Sequence, residues 1–130
     1  MGASETRRRI EQAVERLRAD LPALERLRLV AQLELRARGS DAPIWRVELP
    51  ALRVTREPAA DARLYIELDR DDFNRLAGAG LEDWAEAFRR GRVRVTGDPA
   101  VIKLLGEVAR RALSRRAGTR KRVARPAADS

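Results

Sequence analysis

Three carboxylates crowd into four positions at Asp69, Asp71 and Asp72, a spacing that can gather a hard cation or pair a general acid with a base. A helix N-terminus recruits the same residues, with Asp69 as the cap and Asp71 and Asp72 in the first turn against the positive end of the helix dipole. No further oxygen ligands stand at a suitable spacing, so capping accounts for all three, and neither a metal nor another cofactor is implied. Gly78-Ala79-Gly80 is half of a phosphate-loop pattern, but it falls between two helical stretches, whereas a phosphate cradle follows a strand. The 130-residue chain has neither His nor Cys. That removes imidazole bases, thiol nucleophiles, disulfides and the usual ligands of zinc, and with them most hydrolase mechanisms. The expectation is a protein that is not an enzyme.

Charge and apolar surface are the chemistry that remains. The net charge is +8, but residues 110–130 hold eight Arg or Lys and one Asp, so residues 1–109 are nearly balanced. Arg115, Arg116, Arg120, Lys121 and Arg122 belong to this basic run. Three uses stay open for it: peripheral contact with an anionic membrane, at about 1 kcal/mol per basic residue; nucleic-acid phosphates, through counterion release; or a solubilising appendage. Aromatic residues make up 4% of the chain against 44% for all hydrophobic types, so stacking-based recognition is poorly supplied and aliphatic side chains must build the interior. No stretch approaches the ~18 apolar residues needed to span a bilayer. A cytoplasmic protein is expected.

One core is expected at this length. Ile10, Val14, Leu17, Leu21 and Leu24 recur at steps of four and three, which predicts an amphipathic helix over 6–20, broken before Pro22, with Asp20 capping a short second turn. From Leu27 to Ala37 the period falls to two, the mark of a strand with one wet face. The cluster Arg38-Gly39-Ser40-Asp41-Ala42-Pro43 predicts a turn, and Trp45, Val47 and Leu49 alternate along the returning strand. Leu52 and Val54 suggest a short third strand, and Leu64, Ile66 and Leu68 share one face of a fourth, so an antiparallel meander is expected. Phe73 and Leu76 face inward from a helix of about ten residues. Leu81, Trp84, Ala85 and Phe88 form the stripe of the next helix, which Gly91 can end in left-handed geometry. Val93 and Val95 mark a last strand. Gly97-Asp98-Pro99 combines a turn glycine, an N-cap carboxylate and a proline at the first helical position. The final helix carries Val101, Leu104, Leu105 and Val108 inward to about Leu113. Periodic apolar residues then cease, which predicts a disordered basic tail over 114–130.

Within this order, the segment Ala62-Arg63-Leu64-Tyr65-Ile66-Glu67-Leu68-Asp69-Arg70-Asp71-Asp72-Phe73, followed by Gly80-Leu81, Ala87-Phe88, Gly91-Arg92-Val93-Arg94-Val95 and Gly97-Asp98, resembles the sterol carrier protein 2 family. The likeness covers roughly residues 6–113, and its order and spacing carry it rather than one motif. It implies an α+β fold: a five-stranded, largely antiparallel sheet covered by helices, with an apolar cavity between sheet and helices that takes a fatty acyl, sterol-like or isoprenoid lipid. It implies no catalytic residues. The domain would span residues 1–113, and the inward side chains would line the cavity: Leu33, Leu35, Trp45, Val47, Ile66, Phe73, Leu76, Trp84, Phe88, Val101, Leu104, Leu105 and Val108. The chain departs from the family in its basic rather than apolar end and in finishing Ala128-Asp129-Ser130, which argues against a peroxisomal address.

Periodicity alone makes the same residues an ordinary core. Two other functions therefore stay open: a nucleic-acid- or partner-binding scaffold that acts through the basic tail, and a domain whose interior is filled by its own side chains.

Overall fold

The computed structural model describes residues 3–37 and 43–129, and of residues 118–129 the backbone only. The chain runs α1 (Ala3–Asp20), a 3-10 turn (Pro22–Arg26), β1 (Leu29–Arg36), β2 (Ile44–Leu49), β3 (Arg53–Thr55), β4 (Leu64–Asp69), α2 (Arg70–Leu76), α3 (Leu81–Arg89), β5 (Val93–Gly97) and α4 (Pro99–Asp129). Of the expected turn at Arg38–Pro43, residues 38–42 lie outside the described residues. The strands on either side of it pair antiparallel, with Leu33 opposite Trp45.

The five strands form one sheet in the order β3-β2-β1-β4-β5. Three of its junctions are antiparallel, but β4 lies parallel to β1. The expected meander is therefore interrupted after β3: the chain crosses back to the far side of β1 instead of adding a strand beside β3. Polar residues on the outer sheet face hold this crossover. The Ala59 amide donates to Gln32 Oε1 at 2.9 Å, and Arg46 pairs with Asp61. Ala59 itself is 2% exposed, so the loop is packed as well as bonded. The Arg63 amide then donates to the Val30 carbonyl at 2.9 Å and starts the parallel ladder.

Local chemistry sets most boundaries. Asp98 caps α4, with the Ala100 amide donating to its carboxylate at 2.9 Å. The Arg63 guanidinium first, and the Ala100 amide second, hold the Asp98 carboxyl below its usual pKa range. Asp69 occupies the cap position of α2 in extended geometry, but its side chain makes no capping bond. Helix α2 has seven residues rather than about ten, because the chain leaves helical bonding at Ala79, whose amide donates to Leu76. Asp20 does not cap the Pro22 turn, which has no side-chain cap.

Helix α4 does not stop at Leu113. The expected boundary between a folded part and a disordered tail at residue 114 falls inside this helix. Arg and Ala are strong helix formers, so the end of the apolar stripe does not oblige the helix to end. Arg116 also donates to Asp20 at 2.8 Å and ties this stretch to the end of α1.

Candidate functional site

The strand register lays the inner sheet face out in rows. Val54, Val47, Ala31 and Leu64 make one, Trp45, Leu33, Ile66 and Val95 the next, and Leu35, Leu68 and Val93 a third. Helices cover this face. Ile10 and Ala13 of α1, Phe73 and Leu76 of α2 and Ala87 of α3 pack on the rows at Leu33, Leu35, Trp45, Val47 and Leu68 in the largest buried cluster, with Trp84 and Ile66 partly buried against it. The first half of α4 forms a second cluster, placing Val101, Ile102 and Leu105 beside Leu29, Ala31, Leu64 and again Ile66 and Val95. Its next turns form a third, where Val108, Ala112 and Leu113 meet Leu21 and Leu81.

Burial along the middle row is uneven. Trp45 is 1% and Leu33 7% exposed, whereas Ile66 and Val95, on the same row, are only partly buried. These two residues are also where the first and second clusters meet. The helical cover is thus less complete over Ile66 and Val95 than over Trp45 and Leu33, while Leu64, Leu68 and Val93 of the same two strands are buried.

Charged groups border the apolar interior. The Asp20 carboxylate, its side chain 8% exposed, accepts from the Leu81 amide and from Arg116, both at 2.8 Å, and joins α1, α3 and α4 at one point. It borders a charged cleft of about 510 Å³ lined by Arg16, Glu82, Asp83 and Arg115. A second cleft of about 700 Å³ lies among Arg36, Asp69, Arg70, Asp71, Asp72 and Arg92. Asp72 is paired there with Arg75 and Arg92, and among the described residues no three acidic side chains converge on a common point. On the outer sheet face Glu34 sits opposite Glu67, and the hydrogen bond between them, then burial and the like charge, push the Glu34 carboxyl above its usual pKa. Among the described residues no helix is long and apolar enough to cross a membrane.

The sequence matches no family model and no curated protein. The backbone does match known structures. It is similar to the palmitated SCP2L2 of Aedes aegypti, with a TM-score of 0.54 and 22% identity over 77% of this chain and 93% of that one. The crystal structure of Sterol Carrier Protein 2 Like 2 from the same insect gives 0.53 and 24% over 79% and 98%. The sterol carrier protein domain 2 of Helicoverpa armigera gives 0.54 and 16% over 78% and 83%. The chain has the sterol carrier protein 2 fold.

In this version of the sterol carrier protein 2 fold, the expected lining residues differ in burial. Leu33, Leu35, Trp45, Val47, Phe73 and Leu76 are closed into the core, while Ile66, Trp84, Val101, Leu105 and Val108 stand partly open. Two of them are exposed. Phe88 is 52% exposed, because the buried residues of α3 are Leu81 and Ala87, and Phe88 falls in its last turn, beyond the cover that Leu81 receives from Leu21 and Ala112. Leu104 is 46% exposed. The observed stripe of α4 is Val101, Ile102, Leu105, Val108, Ala109, Ala112 and Leu113. At about 100° per residue, Leu104 points roughly 110° away from its centre. Extending the periodicity through Ala109, Ala112 and Leu113 picks out Ile102 in its place. Arg120, Lys121 and Arg122 have no described side chains.

Proposed function

We propose that the protein binds a lipid, with an acyl, isoprenoid or sterol-like body, between the β4–β5 side of the sheet and helices α3 and α4, and carries it without transforming it. The observation that carries this reading is the partly buried pair Ile66 and Val95, side by side on an inner face whose other apolar residues, Leu49 at its end excepted, are buried. An apolar body placed there would meet the aliphatic side chains of both clusters that the pair adjoins. Relatives in fold named as sterol carriers, one of them palmitated, support the choice of a lipid as occupant. Each methylene taken from water contributes about 0.8 kcal/mol, so affinity should rise roughly fourfold per added carbon until the space is filled. We assign the ligand-holding body to residues 1–113 and give the basic run beyond it a peripheral role, meeting anionic head groups through Arg115 and Arg116 and their neighbours. Arg116 already pairs with Asp20 and Arg115 is also engaged within the protein, so membrane contact is an additional use of the same face.

Displacement of a fluorescent fatty acid by unlabelled acids of increasing chain length tests the reading. Progressive tightening with length, abolished by Ile66→Glu in a variant that keeps its melting temperature within a few degrees, is the expected result. Affinity independent of chain length, or unaffected by the substitution, would contradict it.

A further inference from the structure

The turn that joins α3 to β5 sets an exposed aromatic ring in a dense run of guanidiniums. Residues Glu86-Ala87-Phe88-Arg89-Arg90-Gly91-Arg92-Val93-Arg94 hold four arginines and one glutamate, a net +3. The side chains of Arg89, Arg90, Arg92 and Arg94 are 47–70% exposed. Their carboxylate partners are shared. Glu86 pairs with both Arg89 and Arg90, Asp72 with Arg92 and Arg75, and Glu67 with Arg94 and Arg36. A carboxylate balances one of two cations, so positive charge remains around the turn. The acidic start of α2 borders Arg92 in the second cleft.

Phe88, in the middle of this run, is 52% exposed. The backbone holds it there. Gly91 has φ +76°, the Arg92 amide donates to the Ala87 carbonyl at 2.9 Å and the Gly91 amide to the Phe88 carbonyl at 3.1 Å, the paired bonds that close a helix on a left-handed glycine. Ala87 is buried beneath the turn, and Phe88 is carried outward beside it. Cations at a helix C-terminus are favoured by the helix dipole, which accounts for Arg89 and Arg90. The dipole does not account for Arg92 and Arg94 beyond the helix, nor for the ring set among them.

We propose that this turn docks the protein on an anionic bilayer surface, with Phe88 entering the interface while Arg89, Arg90, Arg92 and Arg94 meet lipid phosphates. The combination selects that partner. In interfacial anchors the burial of apolar side chains and the attraction of cations to anionic lipid act together. Single-stranded nucleic acid stacks successive bases on several aromatic platforms, and this turn offers one ring. The surface is distinct from the basic end of α4. It leads directly into β5, so docking here turns the strand that carries Val95 toward the membrane. It goes beyond the lipid-binding reading and needs no ligand in the interior.

The test is co-sedimentation of the full chain with vesicles of phosphatidylcholine and phosphatidylglycerol in equal parts, alongside vesicles of phosphatidylcholine alone and a single-stranded oligonucleotide. Binding to the mixed vesicles, weakened by salt and nearly absent with phosphatidylcholine alone, is expected. Phe88→Ser should weaken it about three- to tenfold, from half the burial free energy of a phenylalanine side chain. Arg89→Gln combined with Arg90→Gln should weaken it about thirtyfold. Tyr65→Ser removes an exposed aromatic from the outer sheet face and should leave it unchanged. In Phe88→Trp the added indole should be quenched by lipids brominated on their acyl chains, beyond the quenching of Trp45 and Trp84 in the unsubstituted chain. That readout stands by itself if Phe88→Ser does not fold. Undiminished binding of Phe88→Ser, equal loss in Tyr65→Ser, no added quenching in Phe88→Trp, or binding of the oligonucleotide in place of the vesicles would overturn the proposal. Membrane binding that survives in the turn variants would belong to the basic end of α4.

Discussion

At the scale of single residues the structure depends on a few positions with no tolerance. Gly97 has φ +127°, and a Cβ there would come within 2.5 Å of the Arg63 carbonyl oxygen, which also accepts from the Asp98 amide at 2.9 Å. No L side chain fits that backbone without moving the join between β4 and β5. Gly97→Ala should cost about 2–4 kcal/mol in urea unfolding, with an unchanged denaturant slope. Glu34 gives a pH-dependent case. Its carboxyl is raised in the folded protein by Glu67, so folding favours its protonated form; that contribution is present below its ordinary value near 4.5 and is lost as pH rises through the folded value. Glu34→Gln should therefore stabilise the protein at pH 7 by about 0.2–1 kcal/mol, as relief of a cross-strand like-charge pair, and the gain should vanish below pH 4.5, which thermal melts across that range would show. What was legible here was local chemistry. Gly97-Asp98-Pro99 announces its turn and cap from adjacent residues. Asp20 does not announce its role, because its partners Leu81 and Arg116 lie 61 and 96 positions away.

At the scale of elements, alternation identified the inward faces of β1, β2 and β4, because each inner residue must be apolar whichever strand lies beside it. It could not identify neighbours. The parallel pairing of β1 with β4 depends on a crossover held by Gln32 and Arg46, polar residues that alternation marks only as outward-facing. In the helices the period located α1 and α4, but Leu104 shows that a four-residue sample of a stripe leaves its centre poorly defined. The join of α1, α3 and α4 at Asp20 carries its own prediction. Asp20→Ala removes the acceptor of the Leu81 amide and leaves Arg116 unpaired, and should cost about 1–3 kcal/mol. Hydrogen exchange should rise first in α4 around residues 108–116 and at the start of α3, with the sheet unchanged. Uniform acceleration across the chain would mean that Asp20 supports the whole fold rather than this join.

At the scale of the whole molecule, the sequence pattern located the strands and helices, and the resemblance to the sterol carrier protein 2 family supplied their assembly into one α+β unit with a five-stranded sheet. The site within it was less legible. Periodicity reports which side chains point inward, but not whether the helices close over them. The distinction between Leu33, sealed, and Ile66, partly open, on one row of one sheet exists only in the assembled structure. The account depends on that opening. Native mass spectrometry of the full chain, purified without detergent and mixed with an equimolar panel of fatty acids, fatty esters and sterols, tests it most directly. A one-to-one adduct that persists at low activation energy, and is lost from Ile66→Glu, is predicted. Bare protein across the whole panel, or adducts of arbitrary stoichiometry that the substitution leaves unchanged, would contradict it.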